Sequence, residues 1–593
     1  MDARAVRWGG RAGRPGRVVV PVLLATACAV AGAGAQAAPA AAAVEPAQAG
    51  VEVIVQEQPG AGDGPEAYVR RLGGQVQRQL PVVDGFGARL PSTAVPDLST
   101  SAGVRAVTPN AAVRLSGGFD GFAPKQDMGS MYWVSQEVTG AGEYWNDGFR
   151  GQGVDVALID SGTAPVDGLR AGGKVLHGPD LSFESQHEAF SSVDTYGHGT
   201  HMAGIIAGRD DAAPAAVVKG HEDHFLGMAP DARVVSVKVA DSSGNTDVSQ
   251  VLAGIDWVVQ HRKDPGMNIR VLNLSFGTDG TQDYRTDPLT HAVEVAWNAG
   301  IVVVVAGGNQ GDGSTQLNNP AYDPRILAVG GADGRGTYSY TDDVIGDFSS
   351  YGDAARPPDL VAPGKSIVSL VSPGSRADVE NAGARVGTRQ LRGSGTSQAA
   401  AVVSGAAALV VSQRPAITPD QVKALLKGSA QRLPAADPLA QGAGMLDLKA
   451  ARDRDTPTTL SAQQVLAPAL GTGSIEASRG VGHLSDAGVE LTGEQDVFGA
   501  PYVAATRATA SETGTAWVGG AWNGNRWSGD GWSGNRWSGE VWSGNRWSGN
   551  RWSGEAWSGN RWSGNRWSGD GWLGNRWSGA GWTGNRWSNG GWR

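Results

Sequence analysis

Four short strings hold the residues best suited to covalent chemistry. Asp160 closes the apolar run Val156-Ala157-Leu158-Ile159 and opens Asp160-Ser161-Gly162. A buried strand that ends in a carboxylate places it at the carboxyl edge of a sheet, where α/β folds build their sites. His198 lies within Gly197-His198-Gly199-Thr200-His201-Met202-Ala203-Gly204, whose glycines let backbone or a bound chain approach closely. Ser397 sits in Gly393-Ser394-Gly395-Thr396-Ser397-Gln398-Ala399-Ala400, at the start of a small apolar run that continues to Leu409. Such a run suits a tightly packed helix, whose N-terminal dipole favours negative charge developing at a nucleophile. Asn309 ends Ala306-Gly307-Gly308-Asn309, and a side-chain amide there can donate to an oxyanion. Taken singly, these are a turn, a pair of metal-ligand histidines lacking a third partner, a helix cap and a loop amide. Taken together, carboxylate, imidazole, amide and hydroxyl are the parts of nucleophilic acyl transfer.

The elements that must position these groups alternate from about 120 to 453. Val154–Ile159, Val234–Val239, Val271–Leu274 and Ile301–Val305 are short, continuous, apolar runs, as expected of strands buried on both faces of a parallel sheet. Helical stretches lie between them at Val248–Val259 and Leu289–Asn298. A closing helix at Gln421–Lys427 has Thr418 as its cap and Pro419 as first residue. The reading is a doubly wound α/β fold. Ahead of it, 51–115 reads as a small α+β unit. Its strands are Val51–Val55, Gln75–Leu80, Phe86–Leu90, Val104–Val107 and Ala112–Leu115, with helices at Glu66–Leu72 and Thr93–Ser99. Residues 454–516 show no clear period, which leaves a linker or a small accessory region open.

Composition bounds the rest. The chain has 593 residues and a net charge of −9, yet 517–593 carries nine arginines against four acids. An acidic body argues against nucleic acid as its target. Arg4, Arg7, Arg11, Arg14 and Arg17 precede the apolar run Val18–Val30, followed by Ala33-Gly34-Ala35 and Ala35-Gln36-Ala37. That is the layout of an export signal over 1–37. The run is shorter than the roughly 20 residues a bilayer span needs. Cys28, the only cysteine, lies inside it and would leave with it. A lipoprotein cleavage box at Ala25-Thr26-Ala27-Cys28 is a minor alternative, since the leucine expected three residues before the cysteine is absent.

In the order Asp160, His198, Asn309, Ser397, the four strings resemble the subtilisin-like serine peptidases, the subtilase family, over roughly 120–453. Val271-Leu272-Asn273-Leu274-Ser275-Phe276-Gly277 resembles that family's substrate-binding strand. Val237-Lys238-Val239 followed by Gly244-Asn245-Thr246 resembles the opposite edge, and Asp359-Leu360-Val361-Ala362-Pro363-Gly364 the turn before the nucleophile. The βαββαβ order of 51–115, with Gly85-Phe86-Gly87-Ala88-Arg89-Leu90-Pro91, resembles the family's ferredoxin-like propeptide, which gives 38–115 that role and Leu115 as its end.

The resemblance implies an exported serine endopeptidase made as an autoprocessed zymogen. Asp160 would orient His198, and His198 would take the proton of Ser397, a contribution of roughly 10²–10⁴-fold. Asn309 and the Ser397 N–H would hold the oxyanion. A protein or peptide substrate would add as a strand along Ser275, Phe276 and Gly277 and along Gly244, Asn245 and Thr246. No cofactor is required for the chemistry. Structural calcium is common in the family, and the acidic loop with Asp210, Asp211, Glu222 and Asp223 is a candidate without a recognisable ligand pattern. Gln310 and Asn318 fall where the family lines its primary specificity pocket. Gln398 and Ala401 stand where the family has methionine and proline. Ala164-Pro165-Val166-Asp167 replaces its His-Pro string. None of these departures removes a catalytic group.

From Trp517 to Trp592 a tryptophan recurs every five residues, mostly as Trp-Ser-Gly-Asn-Arg, and sixteen of the 21 tryptophans lie there. A period of five steps about 140° round a helix and alternates faces on a strand, so neither gathers the rings on one side. One reading is a solenoid with a five-residue edge and four pentads to a coil. The other, favoured for the isolated tail, is a flexible chain of aromatic and arginine stickers. Either suits a cell-envelope glycan or anionic polymer, with a membrane surface as the rival.

Overall fold

In the computed structural model of the chain, the described residues are 50–110, 123–185, 190–486 and 489–526, with the backbone of short strands between 532 and 579. The export signal over 1–37, Cys28 and the strand Ala112–Leu115 lie outside them. The chain divides into two compact units, Met1–Leu115 and Ser116–Arg593.

In the first unit, β1 (Gly50–Glu57), α1 (Gly64–Arg71), β2 (Gln75–Leu80), β3 (Gly85–Pro91), α2 (Val95–Ser99) and β4 (Val104–Pro109) follow one another. The sheet order is β2-β3-β1-β4, every pairing antiparallel. Each helix therefore carries the chain over one intervening strand. Val53 and Val55 of β1 point inward at period two and meet Phe86, Ala88 and Leu90 of β3, with Val69 and Leu98 supplied by the helices.

The second unit is built on an eight-stranded sheet. Its strands are β5 (Asp155–Asp160), β6 (Val175–Asp180), β7 (Arg233–Lys238), β8 (Ile269–Leu274), β9 (Val302–Ala306), β10 (Leu327–Asp333), β11 (Val344–Ile345) and β12 (Leu360–Pro363). The order is β11-β10-β9-β8-β5-β7-β6, with β12 on β10, and all but β11 are parallel. The strand after β7 returns to the other side of β5, so the winding reverses there. Open α/β sheets form their crevice at such a switch point, and Asp160 is the last residue of β5.

The interleaved helices are α3 (Ala141–Asn146), α4 (His198–Ala207), α5 (Val248–His261) and α6 (Pro288–Asn298). A small antiparallel sheet follows, with β13 (Ile367–Leu370), α7 (Arg376–Glu380), β14 (Arg385–Val386) and β15 (Gln390–Gly393). It leads directly into α8 (Thr396–Gln413). Helices cover both sheet faces. Ile159 approaches Gly254 of α5, whereas Asn273, whose register partner is the preceding Leu158, accepts from Ser404 of α8 at 2.9 Å. Such coverage explains why the strands are apolar without alternation. α9 (Pro419–Ser429) starts as its sequence predicts: Thr418 and Gln421 form a reciprocal capping box.

Residues 454–526 are folded onto this body. Ile475, Phe498, Tyr502, Ala516 and Trp522 belong to the same apolar core as the main sheet. Their anchors are on α5 and α6. Trp522 Nε1 donates to Asp256 at 2.7 Å and Trp517 Nε1 to the Ala253 carbonyl at 2.8 Å. Ala469 N–H donates to Glu294 at 3.1 Å. A segment that lies on helices already formed needs no period of its own, which is why the sequence shows none.

Trp517–Val518, Ala521–Trp522 and Asn525–Arg526 pair as an antiparallel meander. Beyond it the described strands run parallel, and each paired residue faces the one fifteen positions on. Trp532, Trp547, Trp562 and Trp577 align, as do Trp542, Trp557 and Trp572, and Trp552 with Trp567. Fifteen residues are three pentads. The backbone is a coil of three edges, where the sequence reading put four pentads to a coil or no coil at all.

Candidate active site

Two glycines join the Asp160 and His198 strings. Gly162 has φ of +100°, and its carbonyl would lie 2.1 Å from any Cβ at position 199. Only glycine lets the first turn of α4 come so close to the end of β5. His198 Nδ1 then lies 2.8 and 2.9 Å from the two Asp160 carboxylate oxygens. Asp160 is further held by the Ser161 N–H at 2.8 Å.

Burial alone would drive the His198 imidazole towards its neutral form. The Asp160 carboxylate, with Asp194 behind it, outweighs that and holds His198 above the ordinary histidine value. His201, one turn on, lacks such a partner. Burial first, and then the charge of His198, push it down to about 3, so it stays neutral.

Asp194 belongs to the site although its sequence context does not single it out. Its carboxylate accepts from Gly197 N–H at 2.6 Å, Thr200 N–H at 2.7 Å and Ser161 Oγ at 2.8 Å. Ser161 Oγ in turn accepts from Gly199 N–H at 2.9 Å. One buried carboxylate thus ties the start of α4 to the turn after β5. The signal that could have found it is an aspartate a few residues before a helix start, the usual place of an N-capping group.

Ser397 is the second residue of α8 and is buried. α8 packs on α4, whose first residue is His198, so both helices begin at the crevice. Asn309 approaches from β9. Its Oδ1 accepts from the Thr396 N–H at 2.9 Å and from Thr396 Oγ1 at 3.0 Å. With the oxygen so engaged, Nδ2 is the donor the amide has left to offer.

The two expected substrate edges leave β7 and β8, the strands on either side of β5. On the β8 side, Ser404 Oγ donates to Asn273, Asn273 Nδ2 to Ser275 Oγ at 3.0 Å, and Ser275 Oγ to the Ser397 carbonyl at 3.5 Å. The edge Ser275, Phe276, Gly277 is therefore tied to the serine helix. On the β7 side, Asp241 accepts from Ser243 N–H at 2.8 Å and Asn245 N–H at 3.0 Å, which shapes the Gly244, Asn245, Thr246 turn. Gln310 and Asn318 converge on Gly308: a Cβ there would meet Asn318 Oδ1 at 2.4 Å and Gln310 Oε1 at 2.6 Å.

In the acidic loop three of the four carboxylates already have cationic partners. Asp210 is engaged by Arg389 and by the Phe225 N–H, Asp211 by Arg170 at 2.7 Å and Glu222 by Lys125 at 2.8 Å. Among the described residues no group of three or more His, Cys, Asp and Glu side chains is arranged to hold a metal.

A buried carboxylate on an imidazole, a serine at a helix start and a side-chain amide beside it, at the switch point of a parallel sheet, define a hydrolase site of the serine-nucleophile type. The Subtilase family model matches residues 151–445. Subtilisin NAT of Bacillus subtilis subsp. natto is 30% identical over 389 residues, 65% of this chain and 84% of its own length. Subtilisin DY of Bacillus licheniformis is 31% identical over 51% of this chain and 92% of its own length. Serine protease AprX of Bacillus subtilis (strain 168) is 37% identical over 303 residues, half of this chain and 65% of its own length. The chain belongs to the subtilase family of serine peptidases.

Proposed function

We propose that the chain is an exported serine endopeptidase, made as a zymogen, that cleaves proteins at or outside the cell surface. The observation that carries this is the contact of His198 Nδ1 with both Asp160 oxygens, which leaves Nε2 as the base. His198 takes the Ser397 proton as Oγ attacks the peptide carbonyl, and the amine leaves with that proton to give an acyl-enzyme. Water then repeats the sequence in reverse. Asn309 Nδ2 and the Ser397 N–H donate to the oxyanion, each such donor worth about 10²–10³-fold. The substrate lies extended between Gly244–Thr246 and Ser275–Gly277.

The unit at 50–110 acts as the propeptide. Its two helices and its strand order are those of a split βαβ, ferredoxin-like unit, which supports the assignment. Expression of the full chain as wild type and as Ser397→Ala tests both readings. The wild type is expected to lose the segment before about residue 120 and to hydrolyse an unfolded protein. The variant is expected to do neither. Equal behaviour of the two forms overturns the enzyme reading.

We propose further that the tail binds an anionic envelope polymer. Support comes from the basic balance of 517–593, nine arginines against four acids, on a tail whose tryptophans recur every five residues. Full-length Ser397→Ala protein should sediment with cell walls and release in salt, whereas a chain ending at Arg526 should stay in solution. Sedimentation with anionic liposomes and not with walls assigns the tail to membranes instead.

A further inference from the structure

The segment after residue 473 reaches both substrate edges from behind, and it does so through one short helix, Ile475–Arg479. Arg479, at its end, has a fully buried side chain. Nε donates to Asp247 Oδ2 at 2.7 Å, Nη1 to Glu476 at 3.0 Å and to the Gly493 carbonyl at 2.9 Å, and Nη2 to the Gln495 carbonyl at 2.5 Å. Asp247 follows Gly244-Asn245-Thr246 directly and caps α5, accepting from Ser249 N–H at 2.9 Å. The position of the first substrate edge is thus set at its C-terminal end by a guanidinium that belongs to the extension.

The same helix meets the loop that follows Ser275-Phe276-Gly277. Any Cβ at Gly280 would lie 2.6 Å from the Ala477 carbonyl, and one at Gly480 only 2.1 Å from Asp279 Oδ1. Val481 N–H donates to Asp279 at 2.9 Å. Ser474 exchanges hydrogen bonds with Gln282, N–H to Oε1 at 2.8 Å and Nε2 to the Ser474 carbonyl at 3.1 Å. Thr278, in that loop, bridges to Asn319, next to the pocket residue Asn318.

We infer that Arg479 is a positioning residue for the substrate cleft. The helix Ile475–Arg479 is a strut that fixes the spacing between the Gly244–Thr246 and Ser275–Gly277 edges. Stability alone does not account for a buried Arg–Asp pair, because apolar residues of similar volume hold a core as well or better. What the planar fork adds is a fixed distance and direction. Residues 474–495 accordingly brace the substrate cleft from outside it.

The inference rests on the peptidase reading, and the test separates the two. Arg479→Lys, Arg479→Met and Asp279→Ala are compared with wild type on two substrates. One is a peptide anilide long enough to lie along both edges; the other is p-nitrophenyl acetate, which needs the serine and oxyanion groups and neither edge. Arg479→Met should raise KM for the peptide about tenfold with kcat within a few-fold, a displacement effect on binding geometry. Arg479→Lys should fall between the two, and ester turnover per folded molecule should be unchanged. Asp279→Ala leaves the buried pair intact and covers the case in which Arg479→Met does not fold. It should raise peptide KM by a smaller factor. Unchanged peptide KM in the folded variants, or a matching loss on ester and peptide, overturns the strut. Absence of turnover in wild type on both substrates overturns the peptidase reading itself.

Discussion

In the proposed mechanism His198 is the base, and its environment makes the pH dependence a matter of sign. The imidazole must be neutral to accept the Ser397 proton. Because Asp160 holds its pKa up against burial, kcat/KM should rise with pH through a midpoint above the ordinary histidine value of about 6.5. In Asp160→Asn burial is no longer outweighed, so the midpoint should move down while kcat falls about 10⁴-fold. A pH–rate profile on a peptide anilide checks both, and an unmoved midpoint would contradict the account. The residues of the candidate site were picked out from the sequence. Each sits where a buried apolar run meets glycines, a context that Asp160, His198, Asn309 and Ser397 share. Asp194 and Arg479 were not. Asp194 joins its local helix start to Ser161, 33 residues earlier, and Arg479 reaches Asp247, 232 residues earlier; those distant partners come near only on folding, and neither residue lies in a run with a period.

At the scale of elements, the junction of β5 and α4 is the tightest constraint. Gly199→Ala would put a methyl 2.1 Å from the Gly162 carbonyl. The clash should cost about 1–3 kcal/mol and move His198 off the Asp160 carboxylate. Thermal melting and kcat measured together should both show it; loss of stability with kcat intact would mean that the junction does not position the histidine. The interior strands β5, β7, β8 and β9 were read within two residues of their observed ends, since strands covered on both faces announce themselves as unbroken apolar runs. α9 was legible from its cap alone. By contrast β13, β14 and β15 are short and antiparallel, and the sequence reading did not resolve them. Their pairing depends on a chain reversal through α7 that no local pattern encodes.

At the scale of the whole molecule, the tail is where sequence and structure differ most. The five-residue period is obvious, and it hides the longer one. Glu540, Glu555 and Asp570 are spaced fifteen apart, and the residues after them are Val541, Ala556 and Gly571 where most other pentads carry arginine. That spacing is the signal that three pentads make a coil. It predicts a difference between deletions of similar sequence. Removing 547–561 keeps the column in register, whereas removing 547–551 sets an acidic pentad over a basic one. The first variant should keep wall binding and the β-sheet circular dichroism of the parent; the second should lose both. Equal behaviour would mean that the coil has no fixed register.

The fifteen-residue offset also fixes how far the peptidase can roam from whatever the tail grips. From Trp532 to Trp577 the coil advances three strand spacings, about 14 Å. The same 45 residues drawn out would reach about 150 Å. Trp517 and Trp522 are fastened to α5 at the near end. The tail is a short post and not a leash. If the tail binds an envelope polymer as proposed, a peptidase mounted on it would sample only its immediate surroundings, and its substrates would be those that pass within a molecular diameter of that polymer.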